Sequence, residues 1–154
     1  MITFEILEDF TEKVDSAALE RAAETALQHQ SATQPVEMTI VLTNDDQVHQ
    51  LNKQFREIDA PTDVLAFPAG YTDPDSGDLY LGDVVVSYPR AQAQADASGH
   101  PVESELTLLV VHGVLHLLGL DHDGVENQEK MWTAQGEILD LLGVRSVNPP
   151  LEAK

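Results

Sequence analysis

Three histidines in the C-terminal half of the chain have the spacing of a metal site. His112 and His116 are four residues apart on a segment that is otherwise almost entirely apolar, and His122 follows a turn at Gly119. Residues four apart on a helix lie on the same face. Burying two imidazoles among leucines is costly unless their nitrogens are satisfied. A lone histidine on such a face is usually a satisfied core residue, but this set of three favours one divalent ion.

The donor set predicts a catalytic site rather than a closed structural one. Three histidine ligands leave a fourth position for water. Zinc is the first expectation, with one ion per chain, although imidazole also suits nickel, copper and iron. Such an ion polarises an oxygen and lowers the pKa of water, which is hydrolytic chemistry. Cysteine is absent from the chain, so thiolate-bound zinc, iron–sulfur clusters, disulfides and a thiol nucleophile are excluded.

The residue after the first histidine separates this pattern from the zinc peptidases. In sites of the H-E-x-x-H type, a glutamate at that position is the general base. Gly113 stands there instead, which weakens the interpretation as a peptidase. Asp121, beside His122, either orients a ligand or assists a proton transfer, or else only caps the turn, and the sequence favours neither the functional nor the structural alternative.

The histidines need a buried helix and a sheet to hold them. The apolar run predicts a helix from 101 to about 118 that stops at the following glycine. The remaining pattern predicts strands at 1–7, 36–42 and 79–88, a short apolar run at 64–67, a loop at 68–78, a proline-containing tail, and helices at 15–30, about 44–56, 89–98 and 125–142. Strands and helices interleave without a repeat or a domain boundary, which predicts one domain with a mixed sheet.

Charge limits the kinds of partner. Eight Lys and Arg against 27 Asp and Glu give a formal net charge of −19. This excess argues against a protein that coats DNA or RNA through phosphate contacts, and against docking on anionic membranes. Solubility or salt adaptation is a plainer explanation of the acidity than an acidic binding surface. The chain has no apolar run near the required ~20 residues and no signal-peptide pattern, so a cytoplasmic location is expected.

The histidine segment resembles a known signature. Residues 112–122 are similar to the H-G-x-L-H-L-x-G-y-D-H motif of the YbeY family of metal-dependent endoribonucleases, also called rRNA maturation factors. Leu120 stands where an aromatic residue is common in that family. The resemblance covers roughly residues 35–140, and the part of the chain before it is only generic.

Upstream segments support the same resemblance. Residues 51–56 look like the family's L-N-x-x-x-R segment, and residues 61–68 look like P-T-D-V-L-S-F-P, with Ala66 in place of the usual serine. Residues 82–87 are similar to the G-D-I-x-I-S strand. Four further positions fit the family pattern: Glu105, Leu106, Met131 and Gln135.

The resemblance implies a single α+β domain over residues 1–154, with a small mixed four-stranded sheet, about five helices and a metal site on a buried helix and the following turn. It implies zinc on His112, His116 and His122, with catalysis carried by His112 and Arg56. The implied activity is single-strand-specific cleavage of RNA in maturation of small-subunit ribosomal RNA and in ribosome quality control. The implied partners are ribosomal RNA, a small-subunit ribosomal protein and a ribosome-assembly GTPase, with no DNA and no membrane.

Several residues keep two interpretations. Arg56 is suited to bind a phosphate bidentately, but without the motif it is more simply a helix-end cation. The pairs at 62–63 and 82–83 are explained by turn and bulge chemistry or as the wall of a cleft. Met131 and Trp132 of the last helix are expected to pack rather than to stack on bases. Three histidines lack ligand spacing and are expected at the surface: His29, His49 and His100.

Two other functions remain open at this stage. One is a metallohydrolase acting on a peptide or small ester, and the other is a ribosome-assembly factor whose metal is mainly structural. The sequence shows no general base beside the histidines. If RNA is the substrate, the acidity predicts weak, salt-sensitive binding that depends on a ribosomal partner for targeting.

Overall fold

The computed structural model describes residues 1–32 and 34–144. Its strands are β1 (Ile2–Ile6), β2 (Val36–Thr43), β3 (Val64–Thr72) and β4 (Leu79–Ser87). Its α-helices are α1 (Ser16–His29), α2 (Asp45–Arg56), α3 (Tyr88–Ser98), α4 (Val102–Leu117) and α5 (Val125–Leu141), and a 3₁₀ helix that the sequence pattern did not indicate covers Glu8–Lys13. The proline-containing tail, residues 145–154, lies outside the described residues. None of the helices described is both long and apolar enough to cross a membrane.

The four strands form one mixed sheet in the order β1-β2-β4-β3. β1 and β4 run parallel to β2, whereas β3 pairs antiparallel with β4 as the other arm of a hairpin. The mixed four-stranded sheet and five α-helices confirm the predicted α+β class. β3 is therefore an edge strand of the sheet.

The two faces of the sheet carry different helices. The main core lies between one face and helices α1, α4 and α5, and the strands contribute to it Met38, Ile40, Leu42, Val84 and Val86. On the opposite face, Leu65 and Val85 pack against Val48 of α2 in a smaller cluster. Side chains alternate between faces along a strand, so these two sets belong to one sheet. The sheet therefore separates α2 from the histidine helix α4.

β3 is longer than the sequence predicted. Residues 68–72 were expected in the loop because they include Pro68 and Gly70, but the strand continues to Thr72. Proline is tolerated on an edge strand because no ladder partner needs its missing N–H. The pairing with β4 is irregular between Pro68 and Tyr71, and the hairpin loop itself is confined to 73–78.

A buried polar cluster connects the start of β3 to α3 and α4. Gln94 Nε2 donates to Asp63 Oδ2 at 3.4 Å and to Glu105 Oε2 at 3.3 Å. His100 Nε2 lies 2.7 Å from Glu105 Oε1, and its side chain is only 13% exposed. The surface position expected for His100 was therefore wrong. The Thr62–Asp63 pair has a structural explanation, since Asp63 is completely buried in this cluster.

The N-terminal end of α2 is held against α3 by an ion pair. Arg90 contacts both carboxylate oxygens of Asp45, at 2.7 and 3.3 Å, and Ser87 Oγ donates to the same carboxylate at 3.0 Å. The hydrogen bond from Arg90 is the main reason that the pKa of Asp45 is lowered, against the opposing effect of burial. These contacts fix the direction in which α2 crosses the sheet.

α4 lies close to the sheet at Gly113. A Cβ placed on this residue would lie 2.5 Å from Cγ1 of Val84 on β4. A side chain at 113 would therefore push the helix away from the sheet. The glycine that replaces the peptidase glutamate is thus explained by packing.

We expect Gly113→Ala to lower the free energy of unfolding by about 1–3 kcal/mol, because the added methyl group overlaps Val84. Urea unfolding followed by circular dichroism measures this change. Gly136→Ala on α5 is the matched control, since nothing lies within 4 Å of a Cβ built there. Alanine at 136 should stabilise the helix by up to about 1 kcal/mol. Equal unfolding midpoints for Gly113→Ala and wild type would contradict the close packing.

Candidate metal centre

The three histidines that the sequence singled out converge in space. One ring nitrogen from each of His112, His116 and His122 lies within 4.8 Å of the other two. The ring centroids are 4.6 Å apart for His112 and His116, 5.2 Å for His116 and His122, and 5.9 Å for His112 and His122. His112 is fully buried, whereas the other two are half-buried. The cluster therefore extends from the core to two side chains that are partly exposed.

The turn after α4 brings the third histidine back to the other two. Gly119 adopts a positive φ of 98°, the left-handed conformation that suits glycine at the end of a helix. Its N–H donates to His116 O, and the N–H of Leu120 donates to Leu115 O, both at 3.0 Å. A residue with a Cβ would be strained at 119, so the glycine has a direct role in placing His122.

The arrangement of nitrogens fits a divalent transition metal. The Nε2 atoms of all three rings are shielded from solvent. Nitrogen ligands bind zinc at about 2.0–2.1 Å, which places ligands of one ion roughly 3.4 Å apart. The present nitrogens, all within 4.8 Å of one another, are near enough to share one ion. Because the donors are all imidazoles, the set does not by itself select one metal.

Gln135 of α5 determines the orientation of the buried histidine. Its Oε1 lies 3.1 Å from His112 Nδ1, and both side chains are buried. An amide oxygen only accepts hydrogen bonds, so Nδ1 carries the proton and Nε2 keeps its lone pair for a metal. The sequence marked Gln135 as fitting a family pattern without assigning it a role. Its signal was a polar residue on the core face of an amphipathic helix, one turn from Met131.

Trp132 packs against the histidine rings. Its ring centroid lies 6.0 Å from that of His112 and 6.2 Å from that of His122, the latter pair nearly parallel at 22°. Packing was the expected role for Trp132 and for Met131, which is completely buried. The sequence could not show that the partners of Trp132 are the candidate ligands themselves, because that contact depends on how α5 docks.

Asp121 caps the turn that carries His122. Its Oδ1 accepts a hydrogen bond from the backbone N–H of His122 at 2.7 Å. Burial acts to raise the pKa of Asp121, but this bond, a second one from the N–H of Asp123 and the nearby imidazoles lower it overall. Of the two interpretations left open by the sequence, turn capping is the one for which the structure provides a contact.

Arg56 lies on the face of the sheet opposite α4. Its Nη2 donates to the carbonyl oxygen of Ala66 on β3 at 2.6 Å, and its Cζ lies 5.6 Å from the centre of the Phe67 ring. α2 ends at the next residue, Glu57, whose φ of 59° is left-handed. Asn52 fixes this end, because its Nδ2 donates to Ala60 O at 2.9 Å. The side chain of Arg56 is therefore tied to the edge strand rather than to the histidines.

β3 connects Arg56 with the C-terminal end of α4. A Cβ on Gly82 of β4 would lie 2.3 Å from Phe67 O and 2.8 Å from Leu117 Cδ2. Phe67 thus contacts Arg56 through its ring, while its backbone lies close to the residue that follows His116. The two groups of predicted site residues are on opposite faces of the sheet, and the helices that carry Arg56 and His116 both contact β3.

The family model for endoribonuclease YbeY matches residues 5–143 of the chain. The chain belongs to the YbeY family. The resemblance stated from the histidine and upstream motifs is therefore confirmed. The expectation of a hydrolytic nuclease is confirmed with it, since the YbeY relatives are named as endoribonucleases.

YbeY relatives match nearly the whole chain. The endoribonuclease YbeY of Roseiflexus castenholzii is 40% identical over 149 residues, and the match covers 94% of each chain. That of Chloroflexus aurantiacus is 43% identical over 149 residues, covering 92% of this chain and 96% of the relative. The solution structure of a Thermotoga maritima protein, at 29% identity, has a TM-score of 0.61 and covers 92% of this chain and 89% of its own.

We expect Gln135→Leu to weaken zinc binding of this YbeY chain about 10- to 100-fold, because His112 loses the acceptor that fixes its tautomer. Competition with a chromophoric chelator measures the affinity. Gln135→Glu keeps an acceptor oxygen at the same reach and should retain wild-type affinity or bind more tightly. Circular dichroism confirms that each variant is folded. Equal zinc affinity in Gln135→Leu and wild type would contradict this role.

Proposed function

We propose that the chain, acting as one catalytic unit over residues 1–154, is a zinc-dependent endoribonuclease specific for single-stranded RNA. Its substrate is ribosomal RNA, which it cleaves during maturation of the small subunit and in ribosome quality control. The observation that most directly supports this proposal is the convergence of His112, His116 and His122. It occurs in a chain whose family relatives are named as endoribonucleases.

We assign His112, His116 and His122 as the ligands of one zinc ion, while other divalent transition metals share the same preference for imidazole. When bound, the ion supplies Lewis-acid charge and lowers the pKa of water for hydrolysis. Gln135 holds a proton at His112 Nδ1, so this nitrogen does not serve as a general base. His112 thus contributes to catalysis through a fixed ring orientation. Trp132 covers one side of the rings and restricts the direction from which a substrate arrives.

Arg56 binds the phosphate of the substrate in this proposal. A guanidinium has five N–H donors, so the single bond to Ala66 leaves donors for two phosphate oxygens. The contact with β3 keeps the side chain ordered before the substrate arrives. Negative charge that develops on the phosphoryl oxygens during cleavage is stabilised by a positive group already in place.

Peptide hydrolysis fits the site less well. The glutamate that serves zinc peptidases as general base has no room at position 113, because Val84 occupies the space of a side chain there. A purely structural metal fits less well too. Three histidines leave a fourth ligand position for water, which closed structural sites do not have.

The charge of the chain supports a role for ribosomal partners. At −19, the surface repels RNA at long range, so the isolated chain binds RNA weakly and with strong salt dependence. A basic small-subunit ribosomal protein offers the opposite charge, and charge complementarity raises association rates. We include such a protein and a ribosome-assembly GTPase as partners, in the cytoplasm.

Zinc-loaded protein should cleave a single-stranded RNA oligonucleotide while leaving a duplex of the same sequence and casein intact. Chelation should abolish cleavage, and His116→Ala should lose both the ion and the activity, because two imidazoles hold zinc poorly. Metal content per chain and gel analysis of the products measure these outcomes. His29→Ala removes a histidine that pairs with Glu137 and should change neither. Cleavage of casein with intact RNA would favour the peptide hydrolase instead.

Arg56→Ala should lower kcat on single-stranded RNA about 100-fold or more, with unchanged zinc content, since Arg56 contacts β3 and not the histidines. Arg56→Lys should recover little activity, because an ammonium group cannot bind two phosphate oxygens in the same planar geometry. The control is Arg21→Ala on the exposed side of α1, which should retain full activity. Loss of zinc from Arg56→Ala, or equal losses in both alanine variants, would contradict the assignment.

A further inference from the structure

An exposed aromatic side chain stands beside Arg56. Phe55 lies on the last turn of α2, and 58% of its surface is accessible to solvent. Its ring contacts Phe67 of β3 edge to face, with an interplanar angle of 69° and centroids 5.6 Å apart. Phe67 is itself approached by the Arg56 guanidinium, also at 5.6 Å. Phe55 is therefore oriented by its neighbour while most of its ring surface remains available.

Phe55 and His116 lie on helices that both contact β3. The backbone of Phe67 lies close to both Gly82 and Leu117, next in sequence to His116. Phe55 and Arg56 lie at one face of the edge strand β3 and the end of α4 lies at the other, so a chain bound at this edge can reach both. No other strand of the described residues separates this edge from solvent.

Arg56 itself, rather than the net charge around Phe55, favours a polyanion as the partner, because Lys53 and Arg56 are balanced by Glu57 and Asp59. Lys53 and Arg56 are both in the last turn of α2, in a chain that has only eight Lys and Arg. Asp59 is neutralised in part by contacts with His49 at 2.7 Å and Lys53 at 4.0 Å. An aromatic face beside a guanidinium is the combination with which proteins bind unpaired bases and the phosphates that join them.

We infer that Phe55 is a base-stacking site, on which one unpaired nucleobase of the RNA lies next to the phosphate bound by Arg56. The inference rests on the proposed function and extends it by naming a residue that selects unpaired RNA. A base within a duplex is already stacked on its neighbours and cannot occupy Phe55 without being pulled out. The site is tolerant of sequence, because every base has an aromatic face.

Zinc-loaded protein and a set of single-stranded RNA oligonucleotides, each with one abasic position, test this inference. Fluorescence anisotropy gives the Kd of each oligonucleotide. Phe55→Ala should raise the Kd of the intact oligonucleotide about 5- to 100-fold. One abasic position should weaken binding to wild type by a similar factor and have little further effect on Phe55→Ala, since the same contact is then already absent. Phe55→Trp should bind as tightly as wild type or more tightly.

Two variants separate stacking from general effects. Phe55→Leu keeps apolar packing against Phe67 without an aromatic face, so it should bind RNA as weakly as Phe55→Ala while unfolding like wild type. Leu141→Ala removes another exposed apolar residue, 69% accessible, and should bind RNA normally. Unchanged affinity in Phe55→Ala, or equal abasic effects in wild type and Phe55→Ala at every position, would overturn the inference and point to a protein partner for Phe55. If wild type neither binds nor cleaves RNA, the proposed function itself fails.

Discussion

The close contact between α4 and β4 is the constraint on which the site depends. Gly113 lets the helix backbone reach Val84, and Gly82 lets the strand approach Leu117 at the other end of the same contact. A helix this close to the sheet is surrounded by core, so its polar residues are desolvated whether or not they are useful. Placing His112 there is tolerable only because Gln135 Oε1 accepts a hydrogen bond from one ring nitrogen and the other nitrogen faces two more imidazoles.

The same packing places different candidate site residues on the two faces of the sheet. α4 and α5 hold the histidines on one face, and α2 holds Arg56 on the other. No further strand lies beyond an edge strand to separate the two faces of a sheet, and β3 occupies the edge next to β4. The carbonyl oxygen of Ala66 on β3 accepts a hydrogen bond from Arg56 and so orders that side chain. The same bond covers this carbonyl, which limits edge-to-edge pairing with another chain. The irregular pairing beyond Pro68 lies on the same edge strand.

The features that the sequence predicted are those carried by local spacing. The i, i+4 histidines and the glycine turn that returns His122 follow from helix geometry alone, and the interleaved strands and helices indicated one domain with a mixed sheet. Gln135 and Trp132 were missed as neighbours of the histidines, since their contacts depend on the docking of α5. His100 was misplaced at the surface for the same reason: its partner Glu105 is a buried carboxylate that no local pattern reveals. The extension of β3 was missed because proline and glycine are turn formers everywhere except on an edge strand.

The positions of the cations determine how the net negative charge of the chain affects RNA binding. Charges in solvent are screened beyond about 8 Å at physiological ionic strength, so the net charge of −19 governs approach and not contact. At contact, the groups that matter in the proposed function are Arg56 at the end of α2 and the divalent ion that the histidines would hold. A site of so few cations cannot hold an RNA by its phosphates alone, which is how proteins bind duplexes without regard to sequence. In the proposed function, stacking supplies the remaining affinity, and because stacking is available only to unpaired bases, the scarcity of positive charge would favour single-stranded RNA.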